Sequence, residues 1–346
     1  MKSMKRTLVI LFALVMAFAF AACGGQPAEP ASTEEGAAET EAETIPASEP
    51  ITIKFQGAFT EGAADYYYFD RFCESVYERS GGTVTVVWGA GPEAIPADQL
   101  AEAMINGIVE LVYTPYTYLV TVAPVFNGVK MMDPLTVRAN GGTEYIDELS
   151  QQYVNSHFLA RASVNCPYAI MTNKPIKTVA DWKGMVVRGT AAHKPLLEAV
   201  GAEMVTMGWG EVYQAAEKNV VAGVGGTLKN FVDSSIGEVM EYLVDPGFYC
   251  SDSSLLLNNS VWDKLDDAQR QAIVDSAIDW ESDSAAHFAD DNEDMIRILE
   301  ETGAQVNALV GADREEFLNI ANDAAWKVVE NADPEIAAKM REFAGN

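Results

Sequence analysis

Val179-Ala180-Asp181-Trp182-Lys183-Gly184-Met185-Val186-Val187-Arg188-Gly189 is the stretch that decides the fold. Asp181-Trp182-Lys183-Gly184 is a turn, and it launches a strand over Gly184–Arg188. Ala191–Val200 continues as a helix, and the alternation then repeats: strand Glu203–Met207, helix Glu211–Asn219, strand Val220–Val224, helix Leu228–Met240. Strands separated by helices of this length form βαβ units, which implies a mostly parallel sheet with helices on both faces. Gly223-Val224-Gly225-Gly226 follows a strand but lacks the Lys-Ser/Thr that grips phosphate, so it reads as a tight strand-to-helix turn.

The same alternation stands upstream. Ile51–Phe59, Thr83–Gly89 and Glu110–Thr114 are strand-like, and Ala64–Ser80 is helix-like with Gly81-Gly82 as its stop. Ala97–Val109 forms an amphipathic helix with Leu100, Met104, Ile105 and Ile108 on one face. Two α/β units in one chain predict two lobes with a cleft between them. Downstream, Asp267–Glu301 carries apolar residues at helical spacing as far as Gly303, and a helix of that length would reach roughly 50 Å, enough to span both lobes. The expected architecture is an α/β, two-lobed, periplasmic-binding-protein-like fold. Residues 50–165 with 252–291 form lobe I, and residues 166–251 with 292–346 form lobe II.

The chain begins with Lys2, Lys5 and Arg6, an apolar run from Leu8 to Phe20, and then Ala21-Ala22-Cys23. That is an export signal, residues 1–23, too short in its apolar part to span a membrane. Residues 24–49 are Gly, Pro, Ala and Thr studded with glutamates, a segment with too little apolar surface to offset its ordering entropy and read as a disordered acidic tether. The 346-residue chain holds 23 Lys+Arg against 51 Asp+Glu, a formal charge of −28, which argues against nucleic acid or anionic lipid as a partner. With 49 % hydrophobic residues there is ample material for cores.

Enzymatic and metal chemistry find little support in the pattern. His157, His193 and His287 have no cysteine or second histidine at ligand spacing, and Cys73, Cys166 and Cys250 are an odd set without C-x-x-C. They read as isolated thiols, with one opportunistic disulfide as the alternative. No cofactor is expected. Arg188 is different: it ends a strand, on the face opposite Val187, where α/β folds place ligands, and its planar fork suits a carboxylate.

Around Arg188 the sequence resembles the solute receptors of tripartite ATP-independent periplasmic (TRAP) transporters, the DctP type. The resemblance rests on Asp181-Trp182-Lys183-Gly184-Met185-Val186-Val187-Arg188, Val200-Gly201-Ala202, Met207, Glu211-Val212-Tyr213-Gln214-Ala215-Ala216, Asn219-Val220-Val221, Leu257-Asn258-Asn259 and Trp262-Asp263-Lys264-Leu265. In the first lobe, Asp98-Gln99-Leu100, Asn106-Gly107-Ile108-Val109-Glu110-Leu111, Pro124 and Phe126 add to it. Phe20-Ala21-Ala22-Cys23 is similar to a bacterial lipobox, with Phe20 where Leu is usual, and implies a lipid on Cys23. The family implies a receptor that closes on an organic anion gripped by the arginine matching Arg188, then delivers it to separate membrane subunits.

Departures from the family sharpen the expected ligand. Ala222-Gly223-Val224-Gly225-Gly226-Thr227 stands where the family commonly reads Asp-Gly-x-Glu, and Tyr168 aligns near an additional arginine of some sialic-acid receptors. Aromatic residues crowd the segments expected to line the cleft, among them Trp209, at a position that resembles the family's ligand-stacking one. Candidate ligand-contacting residues are Arg188, Trp209, Gly226, Thr227, Tyr116, Trp88, Tyr66, Phe59 and Tyr168, around a small aromatic or otherwise apolar monocarboxylate. The expected protein is an extracytoplasmic, membrane-anchored receptor and not an enzyme. The alternatives are a receptor of an ATP-driven importer or of a sensor system and, more remotely, an exported hydrolase.

Overall fold

Eleven strands and eleven helices alternate along the described chain in the computed structural model, which describes residues 48–63 and 66–345. The signal 1–23 with Cys23, and the tether up to residue 47, lie outside the described residues. In chain order the first half is β1 Ile51–Gly57, α1 Phe69–Arg79, β2 Val84–Ala90, α2 Leu100–Ile105, β3 Leu111–Pro115, α3 Pro134–Asn140, α4 Gly142–Val154, β4 Ser156–Arg161, β5 Pro167–Thr172 and β6 Val186–Arg188. There follow α5 Lys194–Ala199, β7 Glu203–Val205, α6 Trp209–Glu217, β8 Gly223–Thr227, α7 Leu228–Asp233, β9 Tyr242–Cys250, β10 Ser253–Asn258 and α8 Asn259–Trp262. The chain ends with α9 Asp267–Glu301, β11 Gln305–Ala308, α10 Gly311–Ala332 and α11 Pro334–Ala344.

The strands form two sheets, one per lobe. The first has the order β2-β1-β3-β10-β4 and the second β11-β9-β5-β8-β6-β7. Each is mixed, whereas the sequence predicts mostly parallel sheets. β10 runs antiparallel to both β3 and β4, and β5 antiparallel to both β8 and β9. The reason is that the chain crosses between lobes beside β4, β5, β9 and β10, and each crossing reverses a strand. Those crossings are stitched together where Ser251 N–H donates to Cys166 O at 2.7 Å and Ala162 N–H to Ser253 O at 3.0 Å.

Both faces of each sheet are covered. In β10, Leu256 faces a core with Leu100, Tyr116, Phe126 and Ile146, while Leu255 and Leu257 face another with Phe55, Phe72 and Trp280. In β5 the alternation repeats, Tyr168 and Ile170 on one side, Ala169 and Met171 on the other. Helix α9 runs from the first lobe, where Ile273, Ala277 and Trp280 pack, to the second, where Met295 and Leu299 pack. Asp266 caps its start by accepting from Gln269 N–H, and Gly303, at φ +102°, follows its end. Helix α10 also serves both lobes: Phe317, Ala321 and Ala325 lie under the second sheet, while Trp326 and Val329 join the first lobe's core with Met340 of α11.

Several expected elements are displaced. The first helix begins at Phe69, so Tyr66 to Tyr68 precede it, and the second ends at Ile105, leaving Ile108 67 % exposed and Ile105 outside the core. Leu228–Met240 is a helix only to Asp233. The largest difference is at Gly223–Thr227, a strand rather than a turn, paired with β5 on one side and β6 on the other.

Candidate functional site

The carboxyl ends of β1, β3, β6 and β8 converge on a cavity of about 100 Å³ between the lobes. Phe59, Thr117 and Tyr118 line it from the first lobe, Ser251 and Ser253 from the crossing, and Tyr168, Arg188, His193, Trp209, Gly226, Thr227 and Asn230 from the second. That volume lies below the ~300–1,000 Å³ usual for drug-sized ligands. Larger grooves exist, one of about 470 Å³ between α5 and α10. That one is lined by Pro195, Ile320, Asp323 and Lys327 and has no buried charge to satisfy.

Arg188 is such a charge. It is 3 % exposed, at the end of β6 and paired in register with Val205 and Val224. Nε and Nη2 donate to Met207 O at 3.2 and 3.0 Å, and Nη1 donates to Gly225 O at 2.9 Å. The guanidinium carbon sits 4.2 Å from the centroid of the Trp209 ring. Of the five donors of a guanidinium, those three contacts leave two, one on each Nη. Burial lowers its pKa, and no described carboxylate opposes that. A buried cation held only by carbonyl dipoles and an indole face is an incomplete ion pair.

Two other cations stand near the crossing. Lys130 is buried, donates to Ala192 O at 2.9 Å and lies 4.5 Å from the Tyr249 ring centroid; burial lowers it to about 8. Arg161 donates from Nη1 to Val129 O and Met132 O. Asp252 is the buried carboxyl facing them, raised by burial and drawn back by Arg161 and Lys130. The region is therefore electropositive inside a chain of charge −28.

His193 completes the second lobe's wall. It is 1 % exposed, and its Nδ1 lies 3.3 Å from Thr190 N and 3.0 Å from Thr190 Oγ1. Its Nε2 is buried with no hydrogen-bond partner, as is Thr117 Oγ1 across the cavity. Burial first, then Arg188 and Lys130, push its pKa down to about 3, so the ring is neutral.

Gly225 and Gly226 explain why β8 is a strand of glycines. A Cβ on Gly225 would meet His193 Cδ2 at 2.5 Å, and one on Gly226 would meet Trp209 Cη2 at 2.8 Å. The two rings lie flush on the strand because it has no side chains there.

Of the residues singled out from sequence, Arg188, Trp209, Gly226, Thr227, Phe59 and Tyr168 meet around the cavity. Tyr116, Tyr66 and Trp88 do not line it. Tyr116 is fully buried in the first lobe, its Oη 2.6 Å from Ser150 Oγ. Tyr66 has its hydroxyl on the backbone of Phe59, accepting from Phe59 N–H and donating to Phe59 O, and so fixes the loop that presents Phe59. Trp88 packs among Phe55, Tyr66 and Phe69. Sequence reasoning missed His193, Thr190 and Asn230. A signal existed for two pairs: Thr190 and His193, and Thr227 and Asn230, each stand three residues apart at a helix start, the spacing of a local side-chain cap. Cys73 and Cys250 are free thiols, and burial pushes Cys73 up to about 12.

Comparison with known proteins bears on the family and the fold. The sequence profile of the bacterial extracellular solute-binding proteins, family 7 (DctP), matches residues 57–331. A solute-binding protein of Verminephrobacter eiseniae is 26 % identical over 227 residues, 60 % of this chain and 64 % of that relative's length. A TRAP periplasmic solute-binding protein from Desulfovibrio salexigens, solved with bound orotic acid, superposes with a TM-score of 0.73 at 20 % identity, covering 85 % of this chain and 98 % of the other. A Bordetella pertussis extracytoplasmic solute receptor binding pyroglutamic acid gives a TM-score of 0.73 at 17 % identity, covering 86 % of this chain and all of that one. At such identities the likeness is one of fold, and the profile match carries the family: the chain belongs to the bacterial extracellular solute-binding proteins of family 7, DctP.

Proposed function

We propose that this protein captures a small monocarboxylate, aromatic or otherwise apolar, by closing its lobes around Arg188, and passes it to the membrane subunits of a TRAP transporter. The observation that carries this is the buried guanidinium with two unspent N–H donors and no carboxylate partner among the described residues. A ligand carboxylate would complete the pair with charge-assisted bonds worth on the order of 1.5–3 kcal/mol each. Trp209, Phe59 and Tyr168 supply apolar walls. Arg188 is the single charged side chain among the lining residues, which favours one negative charge over two. Orotate and pyroglutamate, held by the two neighbours above, are likewise compact ring acids. A lipid on Cys23 and a tether over residues 24–49 would hold the receptor at the outer membrane face.

Thermal-shift screening of monocarboxylates, dicarboxylates and sugar acids tests the ligand class. An aromatic or branched monocarboxylate at 100 times its dissociation constant should stabilise by roughly 2.7 kcal/mol. Tighter binding of a sugar acid or a dicarboxylate would refute the class. The function asks nothing of the protein beyond binding and closure, in which the ligand favours the closed state by its differential affinity.

A further inference from the structure

We infer that His193 sets the specificity of the cleft by donating its Nε2–H to a carbonyl oxygen elsewhere on the ligand whose carboxylate Arg188 holds. The inference rests on the proposed role of Arg188 and adds the rest of the ligand's chemistry. Thr190 N–H stands 3.3 Å from Nδ1 and can only donate, and the Thr190 hydroxyl, 3.0 Å from the same nitrogen, is able to donate as well, an arrangement that suits Nδ1 as the acceptor. The proton of a neutral ring then resides on Nε2, which is buried and unpartnered on a ring lining the cavity. A buried donor left unsatisfied is unfavourable, and a ligand acceptor removes that cost.

The ring is held in place from several sides. Tyr168 packs edge-on at 5.0 Å between centroids, Phe248 at 5.9 Å, and Gly225 leaves room for the imidazole edge against β8. Arg188 Nη1 donates to the carbonyl of that same Gly225. Cation and neutral donor thus converge on one residue of one strand. Because burial, Arg188 and Lys130 oppose protonation, His193 offers a hydrogen bond without a charge. A second carboxylate would meet no cation there, whereas a ketone or lactam oxygen would meet the donor it needs.

Matched probes separate this donor from mere packing. Calorimetry of the purified protein would compare 3-oxocyclopentanecarboxylate with cyclopentanecarboxylate, and phenylpyruvate with 3-phenylpropionate, each pair differing only at a carbonyl near the carboxylate. The wild type should prefer the carbonyl-bearing member of at least one pair by tenfold or more. His193→Leu should reduce that ratio to within about twofold, whatever its effect on affinity for the carbonyl-free member. His193→Gln, which retains an N–H donor, should keep at least a third of the preference. Gly225→Ala, which displaces the ring without altering it, should behave like His193→Leu. A preference that survives His193→Leu, or equal binding of both members by the wild type, overturns the inference and leaves Arg188 standing. Failure of all four probes to bind the wild type overturns the Arg188 proposal and this one with it.

Discussion

Arg138 and Arg188 both carry their charge into the interior, one at the helix-packed back of the first lobe and one in the cleft, and they are satisfied in opposite ways. Arg138 on α3 faces Glu281 on α9, with Nε on Oε1 and Nη2 2.9 Å from Oε2, and Nη2 also reaches Leu159 O. Glu281 in turn accepts Arg161 N–H at 2.8 Å. Charge, geometry and hydrogen bonds close within the protein. Among the described residues Arg188 meets three backbone contacts and an indole face. A closed pair holds elements together, while an open one between two lobes is what the proposed anion would complete. Burial alone does not separate these roles; the partner does.

The comparison can be broken first at Glu281. Glu281→Gln strands Arg138 and should cost about 3 kcal/mol in urea denaturation, while ligand affinity of the folded protein stays within threefold. A large loss of affinity at unchanged stability would show that the pair belongs to the binding machinery.

A smaller effect lies in pH. With His193 at about 3 in the folded protein against 6.5 unfolded, the unfolded chain binds a proton between those values that the folded chain refuses. Stability at this residue is therefore full above pH 6.5 and falls as pH drops, by up to ~1.4 kcal/mol per unit. Denaturation at pH 7 and pH 5 should show the wild type losing ~1–2 kcal/mol more than His193→Gln. Equal losses would mean the imidazole is not held neutral.

The smallest effect expected is at the indole. Trp209→Ala removes the face beneath Arg188 and one wall of the cavity, and should weaken carboxylate binding by roughly fivefold, about 1 kcal/mol. No change would leave Trp209 as a cover for Gly226.

What was legible in the sequence followed from local chemistry. Asp267–Glu301 was readable to its ends because an acidic N-cap, a long apolar stripe and Gly303 all act within a few residues. Arg188 was readable because a strand's end positions it whatever surrounds it. Gly223–Thr227 was not: glycine disfavours strands, and its reason for being there is two rings delivered from Trp209 and His193. Tyr66, Trp88 and Tyr116 were misplaced for a related reason, since an aromatic residue near a strand's end can face core or cleft, and only the packing of distant helices decides. The mixed sheets escaped for want of any local mark of where the chain would cross between lobes.

The central claim is that Arg188 is an open ion pair awaiting a carboxylate. Its most direct test is calorimetry of the wild type and Arg188→Ala with the best-stabilising carboxylate from the screen and with that compound's primary amide. The wild type should bind the carboxylate at least a hundredfold more tightly than the amide, and Arg188→Ala should bind both weakly, with their difference reduced below threefold and its fold intact. A hundredfold preference for the carboxylate that persists in Arg188→Ala would contradict the account.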